Sequence, residues 1–167
     1  MILKVSLDLP GDGTYLRIAR RVGHTLLEDI GVTDQDIADI EFIVGELCTN
    51  VVRHAQTLED GRFVVVLEYH ADKVVVVVED KGVGLSFKDV REVGSARPDL
   101  DGSERLGGFG LELVRKMADQ IEFQRSDPHG TTVMAEKSLH YKTTLDAEEA
   151  ERLDQSQGGE VSVGGVS

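Results

Sequence analysis

A chain of 167 residues is about one domain long, and 40% apolar residues are enough to bury a core. Lys and Arg number 18 against 31 Asp and Glu, and the resulting net charge of -13 disfavours phosphodiester backbones and anionic lipid as partners. No apolar run approaches the roughly 20 residues of a membrane span, the first residues lack a signal peptide's apolar stretch, and a single cysteine, Cys48, excludes an internal disulfide. An acidic, cytoplasmic protein that contacts neither nucleic acid nor membrane directly is the expectation.

Residues 2–9 alternate apolar and polar side chains and predict a strand stopped by Pro10-Gly11. From Thr14 to about Asp29 apolar positions recur at helical spacing, and Gly31 stands where a C-cap glycine belongs. Thr33 or Asp34 can cap a second helix running to about Gln56. On it Ile37, Ile40, Val44, Leu47, Val51 and Ala55 fall within an arc of roughly 80°, a stripe that must face a core. Two runs rich in β-branched residues, 62–69 and 73–79, are joined by His70-Ala71-Asp72 and predict an antiparallel hairpin.

Residues 81–108 are glycine-rich and show no sustained period, which predicts a long loop. A third helix is expected from about Phe109 to Asp119, and strands over 120–126 and 131–137 flank the turn Asp127-Pro128-His129-Gly130. From Ser138 the signal fades into an acidic stretch and a Gly/Ser/Gln-rich end, so a folded domain over 1–137 and a disordered tail over 138–167 are expected. The order β-α-α-β-β-loop-α-β-β predicts an α+β fold. Its form is a two-layer sandwich with a mostly antiparallel mixed sheet and about three helices on one face.

Three stretches carry candidate chemistry. On the second helix Glu46, Asn50, Arg53 and His54 stack on one side, within the three- and four-residue spacing of helix neighbours. This is either a solvated polar face or a site in which an amide oxygen suits Mg²⁺, a carboxylate accepts a proton and a guanidinium steadies phosphate. Asp80-Lys81-Gly82-Val83-Gly84 follows an apolar strand. Its carboxylate can accept from an exocyclic amine, and its glycines leave room for a flat ring. Gly107-Gly108-Phe109-Gly110 opens the third helix, where unpaired N–H groups suit either a phosphate or a hinge.

In order and spacing, Glu46-x-x-x-Asn50, Asp80-x-Gly82-x-Gly84 and Gly107-Gly108-x-Gly110 resemble the N, G1 and G2 boxes of the GHKL ATPase/kinase superfamily. Gly130-Thr131-Thr132 looks like its terminal Gly-Thr element. Within the superfamily the chain is most similar to the anti-sigma-factor serine/threonine kinases, through Glu46-Leu47-Cys48-Thr49-Asn50-Val51-Val52-Arg53-His54-Ala55 and Met117-Ala118-Asp119. The resemblance spans roughly residues 3–137. It implies an ATP-binding kinase with a nucleotide lid over about 85–108.

Carried over, Asp80 takes the adenine amino group with Thr131 or Thr132 in support, and Gly82 and Gly84 admit the base. Asn50 holds Mg²⁺; beside it Arg53 can steady phosphate oxygens, and His54 either supports the site from behind or meets the phosphates. Gly107, Gly108, Phe109 and Gly110 form the phosphate cradle, Arg105 senses the terminal phosphate, and Glu46 is the general base. The implied partners are a sigma factor and a STAS-type antagonist that is phosphorylated on serine or threonine, with the kinase a homodimer. The alternative is a nucleotide-dependent module that sequesters a regulator without phosphorylating it.

Overall fold

The computed structural model describes residues 1–53, 61–80, 109–125 and 130–143. In chain order these form β1 (Leu3–Pro10), a 3₁₀ turn (Gly13–Tyr15), α1 (Leu16–Asp29) and α2 (Asp34–Arg53). Then follow β2 (Arg62–Tyr69), β3 (Lys73–Asp80), α3 (Phe109–Met117), β4 (Gln120–Arg125) and β5 (Thr131–Ser138). The strands form one sheet in the order β1-β2-β3-β5-β4, and every pairing is antiparallel. The mixed character expected of the sheet is therefore absent among the described residues.

Period-two patterning decides which face of the sheet is covered. Phe63, Val65, Leu67 and Tyr69 of β2 are buried, as are their neighbours Val74, Val76 and Val78 of β3 and Val133 and Ala135 of β5. The α2 stripe Ile37, Ile40, Val44, Leu47 and Val51 meets them as the helical period requires, and Ile43 and Cys48 widen it. Burying each such side chain contributes roughly 1.5–3 kcal/mol. Gly23 of α1 is buried near Leu67 of β2; a Cβ there would stand 3.5 Å from the Leu67 Cδ1, an ordinary van der Waals contact. Among the described residues no helix is long and apolar enough to cross a membrane.

Several boundaries differ from the sequence expectations, each for a local reason. β1 continues through Pro10, which a strand at the sheet edge tolerates because its missing N–H breaks no interior ladder. α1 is entered through the 3₁₀ turn, where the Asp12 carboxylate accepts from the Thr14 N–H at 2.7 Å. Gly31 has φ +78°, the left-handed conformation expected at a helix C-terminus. α3 stops at Met117, and Asp119 instead accepts from the Ser138 N–H at 2.5 Å. Ala55 and Gln56 lie outside the described residues, as do 144–167 of the expected tail.

The chain stays packed beyond the point where its patterning fades. Leu139 is buried, the Thr33 N–H donates to the His140 carbonyl at 2.9 Å, and Tyr141 bridges Val32. Residues 139–141 thus pack against the described fold, beyond the point expected at 137. A short extended segment that pairs with a turn carries too few apolar residues to show a period.

Candidate functional site

Strand register fixes which side chains meet at one end of the sheet. Asp80 closes β3 opposite Phe63 of β2 and Thr131 of β5. Phe63 and Thr131 are buried, so Asp80, their ladder partner, shares the helix-covered face. Glu79 and Thr132 form the next pair and turn to the other face. Of the two threonines named from the sequence, Thr131 is therefore the one beside Asp80.

α2 brings its polar side chains to that same end. Its first turn is fixed at the opposite end of β5, where the Asp36 carboxylate accepts from the His140 backbone N–H at 2.6 Å. The same Oδ2 lies 3.0 Å from His140 Nδ1, and Lys137 Nζ lies 3.3 Å from Asp39. From Asp36 to Asn50 a helix advances about 21 Å, and from Ser138 back to Thr131 a strand covers about 23 Å. The two lengths are comparable, so the C-terminal half of α2 points toward the end of the sheet that holds Asp80 and Thr131. Glu46 and Asn50 are half-buried and Arg53 is exposed.

The third wall is α3. A Cβ added to Gly110 would lie 2.8 Å from the Glu46 carboxyl carbon and would overlap its Oε2. The Glu46 carboxylate thus rests against the first turn of the helix that Gly107-Gly108 would lead into. Among the described residues, the side chains of Glu46 and Asn50 make no hydrogen bond or ion pair. A half-buried amide oxygen of this kind fits Mg²⁺, a hard cation that takes few protein ligands. The N-terminal turn of α3 likewise fits a phosphate, because the first N–H groups of a helix have no partner within it and its dipole is positive there.

The flank of α2 that faces α1 is structural. Cys48 is buried, and desolvation pushes its thiol up to about 12. His24 of α1 stands between Glu28, at 3.6 Å, and Glu41 of α2, at 3.3 Å, and its buried Nδ1 has no hydrogen-bond partner among the described residues. Arg20 packs its guanidinium over Gly45, where an added Cβ would meet Nε at 2.6 Å.

The structure thus sets Glu46 against Gly110 and pairs Asp80 with Thr131; Asn50 lies one turn beyond Glu46 on α2, and exposed Arg53 ends that helix. His54, Gly82, Gly84, Arg105, Gly107 and Gly108 lie outside the described residues, as does the segment 85–108 read as a lid, and Phe109 is described only in its backbone. Sequence reasoning missed the anchor made by Asp36 and His140. Asp36 reads as an ordinary first-turn acid, and only the fold brings a residue 104 positions away onto it.

Comparison with known proteins bears on the fold and the family. The profile of the histidine kinase-like ATPase domain family matches residues 9–137. The serine-protein kinase RsbW of Bacillus cereus (strain Q1) is 27% identical over 138 residues, which cover 81% of this chain and 85% of that protein. The RsbW of Bacillus thuringiensis subsp. konkukian is 28% identical over the same shares. Among solved structures, the RsbU and RsbW domains of a Mycobacterium tuberculosis protein superpose with a TM-score of 0.60 at 20% identity, covering 84% of this chain and 35% of that one. The SiaB-SiaC complex of Pseudomonas aeruginosa gives a TM-score of 0.61 at 12% identity, covering 79% and 88%. At these identities the two structures speak for the fold alone.

Proposed function

The chain belongs to the histidine kinase-like ATPase domain family, and we propose that it binds Mg-ATP and transfers the terminal phosphoryl group to a serine or threonine of a STAS-type antagonist. Its second partner in this reading is a sigma factor, which it sequesters when the antagonist is phosphorylated, and it acts as a homodimer. The observation that carries the reading is the apposition of Glu46 with the first turn of α3 at Gly110. Phosphoryl transfer asks little covalent work of a protein; it asks for an acceptor hydroxyl, a base and a phosphate cradle in one place.

Each residue then has a task. Asp80 accepts from the adenine amino group, with the Thr131 hydroxyl beside it. Asn50 offers its amide oxygen to Mg²⁺, which when bound neutralises phosphate charge. The α3 turn and the preceding glycines give N–H groups to the phosphates, Arg53 and Arg105 add positive charge with His54 beside them, and Glu46 takes the proton of the acceptor hydroxyl. The likeness to named serine-protein kinases over most of both chains supports this assignment. Retention of a carboxylate at Glu46 favours it over a sequestering module without turnover.

The test is incubation of the full chain with γ-labelled Mg-ATP and each STAS-domain protein of the same genome. Label on one of them, lost in Glu46→Gln while ATP affinity stays within about threefold, is the expected result. Nucleotide binding without label on any candidate would replace the kinase by the sequestering module.

A further inference from the structure

A glutamate side chain has three torsions, and a base that swings freely spends little time aimed at its proton. No hydrogen bond or ion pair to a described residue steers the Glu46 carboxylate. Its neighbour is α3. The volume that a Cβ on Gly110 would fill is the one in which the carboxylate sits, with the carboxyl carbon only 2.8 Å from the Cβ position. Any other residue type at this position would take that volume away from Glu46.

We infer that Gly110 is a positioning residue for Glu46. The absent side chain forms the seat of the carboxylate, so the helix that follows segment 81–108 sets the direction of the base. This deepens the kinase reading and rests on Glu46 being the base in it. Glycine is among the poorest helix formers, yet here it stands in the first turn of α3. That turn also favours an anion, because its N–H groups lack helix partners and the dipole is positive there. The obstructing group at Gly110 is the end of a flexible side chain rather than backbone. An added methyl group is therefore accommodated by swinging the carboxylate aside, with α2 and α3 left in place.

The experiment uses the full-length wild type, Gly110→Ala, Glu46→Asp and the double variant. ATP affinity, single-turnover transfer to the STAS acceptor and the carboxyl carbon resonance of Glu46 in ligand-free protein are measured for each. Gly110→Ala retains the backbone N–H, so ATP affinity should stay within about threefold while transfer slows by roughly 10- to 100-fold. Asp is one methylene shorter and clears the new methyl group. Glu46→Asp should then slow the Gly110→Ala protein far less than it slows the wild type, which a general structural defect would not produce.

Wild-type transfer in Gly110→Ala, or two penalties that simply multiply, would overturn the seat. Loss of ATP affinity in step with rate would overturn it too, because the glycine would then act on the phosphates alone. If the wild type labels no acceptor, the kinase reading fails, and the carboxyl resonance still decides. A resonance that moves in Gly110→Ala upholds the seat; one that stays in place removes it.

Discussion

A slip of one residue between β3 and β5 would put Thr132 instead of Thr131 beside Asp80 and turn a valine of the core out to the open face. That dependence makes the adenine assignment testable at single atoms. Asp80→Asn removes a charged acceptor, and a hydrogen bond to a charged group contributes roughly 1.5–3 kcal/mol, so ATP affinity should fall about 10- to 100-fold by calorimetry. Thr131→Val should weaken binding as well, while Thr132→Val should leave it unchanged. Tyr69 poses a different question. It is buried, its hydroxyl has no hydrogen-bond partner among the described residues, and burial pushes its phenol up to about 12. Removing an unsatisfied buried hydroxyl relieves its desolvation penalty, so Tyr69→Phe should raise stability by about 1 kcal/mol in urea melts.

Among the elements, the segment after β5 has the clearest energetic consequence. A chain ended after Lys137 loses buried Leu139, the His140 contacts to Asp36 and the Tyr141 bridge; a chain ended after Thr143 keeps all three. Deleting a buried leucine side chain alone costs about 2–5 kcal/mol, so the shorter chain should unfold at a markedly lower urea concentration than the longer one. The join from α3 to β4 responds to pH. The Ser138 N–H donates to Asp119 and holds its carboxyl below the ordinary 3.8. A carboxyl lowered by folding contributes stability that is complete above its unfolded value and is lost as pH falls through its folded value. The stability gap between wild type and Asp119→Asn should therefore be full near neutrality and narrow as pH is taken below 3.8. Elements with long periods, such as the α2 stripe and the paired runs of β2 and β3, were legible because apolar spacing alone specifies them. Pro10 and the residues after Ser138 were not, because edge position and pairing with a turn leave no period in the sequence.

At the scale of the whole molecule, the composition of the candidate site was legible while its assembly was not. Glu46, Asn50, Asp80 and Gly110 stand out as residue types at particular spacings, but the choice of Thr131 over Thr132 came only from register. The carboxylate seat at Gly110 came only from helix packing. The anchor of Asp36 on His140 came from chain reversal across the sheet. Taken together these contacts fix one end of α2, while its apolar stripe seats the rest of the helix on the sheet. It is clamped at Asp36 and Asp39, crosses the sheet, and carries Glu46 and Asn50 toward its outer end. Glu46 lies about 15 Å of helix from the clamp, so a tilt of roughly 4° there displaces it by about 1 Å. Misplacement on that order can slow a reaction by about two decades. The Asp36–His140 contact at the far end of the sheet and the buried stripe from Ile37 to Val51 together oppose such a tilt.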